Sequence, residues 1–348
     1  MNGGVTMKEM NNEKEMARWK GFMDTLQNKS EWQPNFPREE IWNLYNSKLW
    51  FYASENNNGH IPVFLLYSHI NKPSILDLTK EHSLIGKFLG EGYDVYLLEF
   101  GEPVLEEKGV GLAEYLSHYV DPCIKKALQH CGKKEISLSG FCLGGTLAVI
   151  YAALNSHLIR NLILFVTPID FDQIPDYHSW VDALKKDELD VTGIMSDIGI
   201  IPAPFIRYGM RALTSPVYFS PYLSLLNKAY DKDYAHYWLR FNQWTNDHLP
   251  LTGAMGRDIL TYFIKENVLM GGEFKLSGET IDLQSIDSNL YLISSQYDQL
   301  VPPSISTPLL ELVSSKNKQT AEVAGGHASL IKYGISAELI EWLHLHSK

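Results

Sequence analysis

The chain has 348 residues, 45% of them apolar and 20% charged. That composition excludes a disordered or collagen-like chain and allows a large core without disulfide or metal staples. With 41 acidic against 30 basic residues the net charge is −11, which argues against nucleic acid or an anionic membrane surface as a partner.

The three cysteines, at 123, 131 and 142, are sparse and lack metal-ligand spacing, as expected in a reducing compartment. No apolar run approaches the roughly 20 residues of a membrane span, so the protein is not read as an integral membrane protein. Residues 1–20 are polar and carry no signal-like apolar segment. The expected location is cytoplasmic, with Met1 and Met7 both open as starts.

In chain order, residues 1–35 form a polar N-terminal segment. In it Met16, Trp19, Met23 and Leu26 fall at helical spacing. The favoured reading is a surface helix packed on its own body, and the alternative is a partner-binding stripe. Trp42, Leu44, Leu49 and Phe51, separated by Asn46 and Ser47, predict an antiparallel edge hairpin. Then short apolar runs at 61–67, 94–100, 136–139 and 162–166 alternate with helical stretches at 84–90, 112–131 and 143–154. Two-sided apolar strands alternating with helices predict a mostly parallel central sheet covered by helices on both faces.

The alternation stops at 171. Of the 74 residues from 171 to 244, 14 are aromatic, well above the 12% of the whole chain. This predicts an inserted, mostly helical cap over 171–260 that buries the site beneath it. The core, 36–170 and 261–348, resumes with strands at 290–294 and 320–323 and a closing helix at 337–344.

The chemistry concentrates at ISLSGFCLGGTL, 136–147. A strand ends in Gly140-Phe141-Cys142-Leu143-Gly144 and a helix follows at once, giving the nucleophile elbow G-x-S-x-G with cysteine in the serine place. Gly140, Gly144 and Gly145 let strand and helix cross closely. Leu143 N–H opens the helix where an oxyanion would form, and the helix end favours a thiolate over a free thiol of pKa about 8.5. Cys123 and Cys131, in a helix without an elbow, are read as structural.

In this fold the acid and base follow the nucleophile in chain order. Asp298 lies on a loop after a late strand, and His327 lies between a short strand and the last helix. Asp170 and Asp172, after the sixth strand, are rival acids. His69 and His248 are the other histidines of interest. The loop after the third strand, Ser68 to Pro73, is expected to give the second oxyanion donor, from Ile70 N–H.

At these residues the chain resembles the polyhydroxyalkanoate synthases, in particular the short catalytic subunits of classes III and IV. The segments that carry the resemblance are YSHINKPSILDL (67–78), YDVYLLEFGEP (93–103), GFCLGGT (140–146), VTPIDF (166–171), WTNDHLP (244–250), YDQLVPP (297–303) and GGHASL (325–330). The resemblance implies an α/β-hydrolase fold with a cap and a Cys142–His327–Asp298 triad. It implies a 3-hydroxyacyl-CoA substrate, a polyester product or granule, an accessory synthase subunit, and neither metal nor organic cofactor. The chain departs from the family at Glu99-Phe100-Gly101, where the family usually has a Trp, and at Ala328-Ser329, after the His.

A cysteine suits such a reaction. Attack on an acyl-CoA exchanges one thioester for another, so the acyl group stays activated for a hydroxyl acceptor. His327 would act as base, oriented by Asp298. The expected function is an acyltransferase that polymerises 3-hydroxyacyl-CoA through a covalent Cys thioester and releases CoA. The alternative is a Cys-nucleophile hydrolase, of thioesterase or dienelactone-hydrolase type. Lys72, Lys80 and Arg207 are candidates for a basic rim facing CoA, and a homodimer is an assembly the sequence leaves open.

Overall fold

A computed structural model describes residues 7–28, 32–174, 191–214, 220–330 and 335–348. The part of the expected cap at 175–190 and 215–219 lies outside the described residues.

Strands β1 (Glu39–Leu44), β2 (Ser47–Tyr52), β3 (Val63–Leu66), β4 (Val95–Glu99), β5 (Ile136–Phe141) and β6 (Ile159–Phe165) come first. Two-residue strands β7 (Ile200–Ile201) and β8 (Leu251–Thr252) pair with each other, as do β9 (Glu273–Leu276) and β10 (Glu279–Asp282). Strands β11 (Asn289–Ser295) and β12 (Lys318–Val323) complete the main sheet, whose order is β1-β2-β4-β3-β5-β6-β11-β12. From β4 to β12 every neighbouring pair is parallel, while the β1–β2 hairpin joins β4 antiparallel.

The sequence accounts for these positions. Central β3 and β5 bury every residue, because helices cover both faces and leave no wet side. Edge strand β12, KQTAEV, alternates exposed and half-buried residues, as expected where one flank faces water. Two apolar clusters form, one on Leu138, Leu147, Ile150 and Leu164, the other on Leu65, Phe141, Phe165 and Ile293. At about 1.5–3 kcal/mol for each large side chain buried, these layers dominate the favourable side of folding.

Helix Leu84–Gly90 starts at Ser83, whose hydroxyl accepts the Gly86 N–H at 2.9 Å. This cap adds about 1 kcal/mol. The 112–131 stretch is helical, but Tyr115–Val120 is wound as a π-helix inside it.

Helix Met7–Gln27 lies on the body as expected, but not through its apolar stripe. Phe22 packs against Leu225, Ala229 and Trp238, and Thr25 is buried. Met16, Trp19, Met23 and Leu26 are 44–66% exposed.

The sequence reading passed over the β9–β10 ribbon. Its turn is Ser277-Gly278, with φ of 49° and 88°, and a Ser-Gly pair between short strands is a recognisable hairpin signal.

Between β6 and β11 in the chain come helices Val191–Ile198, Ala203–Thr214, Ser220–Lys228 and Lys232–Asn246. Asp231 caps the last of these by accepting the Asp233 and Tyr234 N–H groups at 3.0 and 3.1 Å. Tyr237, Phe241 and Trp244 of that helix pack against the second cluster. The His82 ring stands 4.6 Å from that of Tyr237, and the Trp244 indole N–H donates to the Lys72 carbonyl at 2.9 Å. The helix is thereby fixed to the segment that follows β3.

Candidate active site

The site is built where β5 turns into helix Leu143–Leu154. Cys142, between them, has φ 52° and ψ −128°. A left-handed φ on a side-chain-bearing residue costs of order 1–3 kcal/mol and persists only when its surroundings hold it. Here Cys142 N–H donates to Phe165 C=O at 3.0 Å, while its own carbonyl accepts from Gly145 and Thr146 N–H at 2.8 and 3.2 Å. Val166, one residue past β6, is also left-handed at φ 41°, an outlier for a β-branched residue. Its N–H is held by Ile293 C=O at 2.8 Å. Two strained residues on adjacent strand ends mark this rim, and only the first was legible in the sequence.

The glycines are there for close approach. A Cβ on Gly145 would collide with the Thr167 side chain, and one on Gly144 with the carbonyl of Leu66. A Cβ on Gly140 would come within 2.5 Å of Gly145 Cα. Helix, β3 and the β6 exit are thus pressed together at the elbow. Gly145→Ala should lower stability by about 3 kcal/mol or more, since Thr167 is fully buried and its neighbours cannot yield. Denaturant unfolding checks this, and a loss under 1 kcal/mol would show that the contact can relax.

Helix geometry leaves the first amides of Leu143–Leu154, Leu143 N–H among them, without intrahelical partners. Ile70, the other expected donor, has its N–H 3.5 Å from Ser68 Oγ and its carbonyl accepting from Leu249 N–H at 3.1 Å.

Asp298 and His327 come together. His327 Nδ1 lies 2.7 Å from Asp298 Oδ2, and Asp298 Oδ1 accepts the Leu300 and Val301 N–H groups, both at 2.9 Å. Asp298 is buried. The two loops are tied behind the pair. Ser295 Oγ donates to Gly325 and Gly326 carbonyls at 2.7 and 3.0 Å, and Tyr297 N–H donates to Gly325 C=O at 2.8 Å. Burial alone would pull the His327 pKa down. The Asp298 carboxylate and the adjoining Cys142 thiol outweigh it and hold the imidazole well above its usual value. His327 thus meets Asp298 through Nδ1 and also adjoins Cys142.

The rival acids lie elsewhere. Asp170 Oδ1 accepts from Asn267 Nδ2 at 2.8 Å and from Asp172 N–H at 3.2 Å, a tie between the β6 exit and residue 267. Cys123 is buried and its thiol pKa is pushed up by that burial; Cys131 is shifted the same way. Cys142 is half-buried.

His69 is buried against Phe100 and Tyr115, and burial lowers its pKa to about 4. Of the basic-rim candidates, Lys80 is exposed, Lys72 pairs with Asp247 at 2.8 Å, and Arg207 stands over Tyr208. Among the described residues no cluster of three metal-ligating side chains occurs, and no helix is long and apolar enough to cross a membrane.

One residue was missed entirely. Tyr67, at the end of β3, packs its ring on Phe141, and its hydroxyl pKa is raised well above normal by burial and by the neighbouring Cys142. Its position one step past an apolar strand, opposite the elbow strand, was the available signal.

Fold and site together define an α/β-hydrolase-fold protein with a cysteine at the elbow. Solved structures agree on the fold. A monoacylglycerol lipase from Paleococcus ferrophilus superposes with TM-score 0.51 at 17% identity, over 83% of this chain and 97% of that one. An esterase from Thermogutta terrifontis does so with TM-score 0.51 at 14% identity, over 90% and 100%.

Within that fold the chain is similar to the PhaC subunits of poly(3-hydroxyalkanoate) polymerase. It is 30% identical to the Haloferax mediterranei subunit over 84% of this chain and 60% of that one. It is 26% identical to the Allochromatium vinosum subunit over 88% of each. The chain thus spans 60% of the length of the Haloferax relative and 57% of that from Haloarcula marismortui. No family model matches it.

Proposed function

We propose that this protein is an acyltransferase that polymerises 3-hydroxyacyl-CoA into polyhydroxyalkanoate through a thioester on Cys142. The observation that carries the reading is a cysteine, not a serine, at the elbow with the His327–Asp298 pair behind it, in a chain related to PhaC subunits. Cys142 Sγ attacks the thioester carbonyl, its proton passes to His327, and CoA leaves as its thiol by taking that proton. A substrate hydroxyl then attacks the acyl-enzyme, gives its proton to His327, and returns the thiol to Cys142. Asp298 orients the imidazole and supports its charge. Leu143 N–H, with Ile70 N–H once it turns from Ser68, stabilises the oxyanion. No metal or organic cofactor enters these steps.

In this reading residues 171–260 act as the cap. Trp244 and its neighbours hold Lys232–Asn246 beside the loop after β3, and closure over Cys142 favours a hydroxyacyl acceptor over water. The exposed stripe Met16–Leu26 is where an accessory subunit would dock. We place the protein in the cytoplasm, at the granule surface.

The test is incubation of the purified chain with 3-hydroxybutyryl-CoA, following thiol release and turbidity together. Release with polymer is expected; release with only free 3-hydroxybutyrate would make it a thioesterase.

A further inference from the structure

Strands β3 and β5 are parallel neighbours, and their register ends with Leu66 opposite Gly140. Tyr67 and Cys142 are the residues that follow the two strands, so both leave the sheet at the same edge. The Tyr67 ring lies 6.1 Å, centroid to centroid, from the ring of Phe141, the residue before the nucleophile. On the other side, a Cβ on Gly144 would come within 2.6 Å of the Tyr67 carbonyl oxygen. Tyr67 therefore meets the elbow both before and after Cys142. Both residues are half-buried.

The Tyr67 hydroxyl has a proton to give. Among the described residues it makes no hydrogen bond. Burial first, then the charge of Cys142, hold its pKa well above the usual value, so it stays O–H wherever a thiolate attacks. Of the two backbone donors expected for an oxyanion, Leu143 N–H opens its helix. Ile70 N–H is turned to Ser68 Oγ, 3.5 Å away, and serves only after turning back. A side-chain donor on the neighbouring strand end needs no such turn.

We propose that Tyr67 is a further catalytic residue, its hydroxyl donating to the acyl carbonyl oxygen as Cys142 attacks. The Sγ–C bond forms and the carbonyl π pair moves onto oxygen, where the Tyr67 O–H meets it and keeps its own proton. When the oxyanion collapses, the C–S bond to CoA breaks and the leaving sulfur takes the proton held by His327. A donor that meets charge only as it develops lowers the barrier without tightening the substrate. The inference rests on the acylation of Cys142 proposed above and adds a donor to it.

The test follows the first burst of leaving group from wild type and Tyr67→Phe with two acyl donors, 3-hydroxybutyryl-CoA and p-nitrophenyl butyrate. Phenylalanine keeps the ring against Phe141 and removes only the oxygen. The acylation rate constant should fall about 10²-fold with both donors, the size of one oxyanion contact. Calorimetry with a CoA thioether, which has no carbonyl, should give the same affinity for both proteins. The ratio of the two rates should be flat between about pH 6 and about pH 9, because a hydroxyl held above about 10 does not titrate there. Equal acylation rates would overturn the proposal and leave the nucleophile untouched. A loss that appears equally in thioether affinity would mark Tyr67 as structural and overturn it too. A burst with the ester alone, still weakened in Tyr67→Phe, would uphold Tyr67 and end the CoA reading. Acyl groups found only on residues other than Cys142 would overturn both.

Discussion

Cys142→Ala should cut CoA release by roughly 10⁴-fold or more, the scale seen when a covalent nucleophile is removed. The alanine cannot form the acyl-enzyme, and no other described thiol is placed to replace it. Cys123 is buried and Cys131 sits on the far end of its helix, and burial raises the pKa of both thiols. Cys123→Ala and Cys131→Ala should keep most of the activity. Cys142→Ser supplies an oxygen nucleophile in place of sulfur and loses the thioester character of the intermediate. It should release CoA slowly and accumulate little polymer. Mass spectrometry of the peptide bearing residue 142 after brief exposure to substrate checks the assignment. An acyl group on any other residue would sink it.

His327→Ala should cost about 10³–10⁴-fold, because the proton between thiol and leaving group then has no carrier. Asp298→Asn is the more informative change. The carboxylate holds the His327 pKa up against burial, so its loss should drop that pKa, read by NMR titration of the imidazole. The sign for stability follows from linkage. A pKa raised on folding stabilises fully below the unfolded value of about 6.5 and fades as pH climbs through the folded one. The stability gap between wild type and Asp298→Asn should therefore be widest near about pH 6 and shrink toward alkaline pH. A gap that widens instead would mean that the imidazole is held neutral.

The sheet was legible because its central strands are short, wholly apolar runs separated by helical stretches, a pattern that only a covered parallel sheet produces. Helices at 84–90 and 143–154 were legible for the same reason, with Ser83 and the elbow glycines marking their starts. What escaped was the ribbon at 273–282. Its two strands are four residues each and bury one side chain apiece, Leu276 and Ile281, too little for an apolar imprint.

The site divides likewise. Cys142 announces itself through the glycines that the tight crossing demands. The approach of Tyr67 to the elbow depends on tertiary contact between distant segments, which no local spacing encodes. The exposed stripe on the N-terminal helix shows the limit of periodicity: it identified the helix but not which face the body would take, because Gly21, Phe22 and Thr25 make the contact instead.

Passage of acyl groups through Cys142 to a hydroxyl acceptor can be followed in a single-turnover reaction with radiolabelled 3-hydroxybutyryl-CoA, quenched in acid and analysed for protein-bound label and product. Label is expected on Cys142 as a thioester, labile to hydroxylamine, that chases into oligomer on adding unlabelled substrate. Label that never appears on Cys142, or that chases only into free 3-hydroxybutyrate, would contradict it.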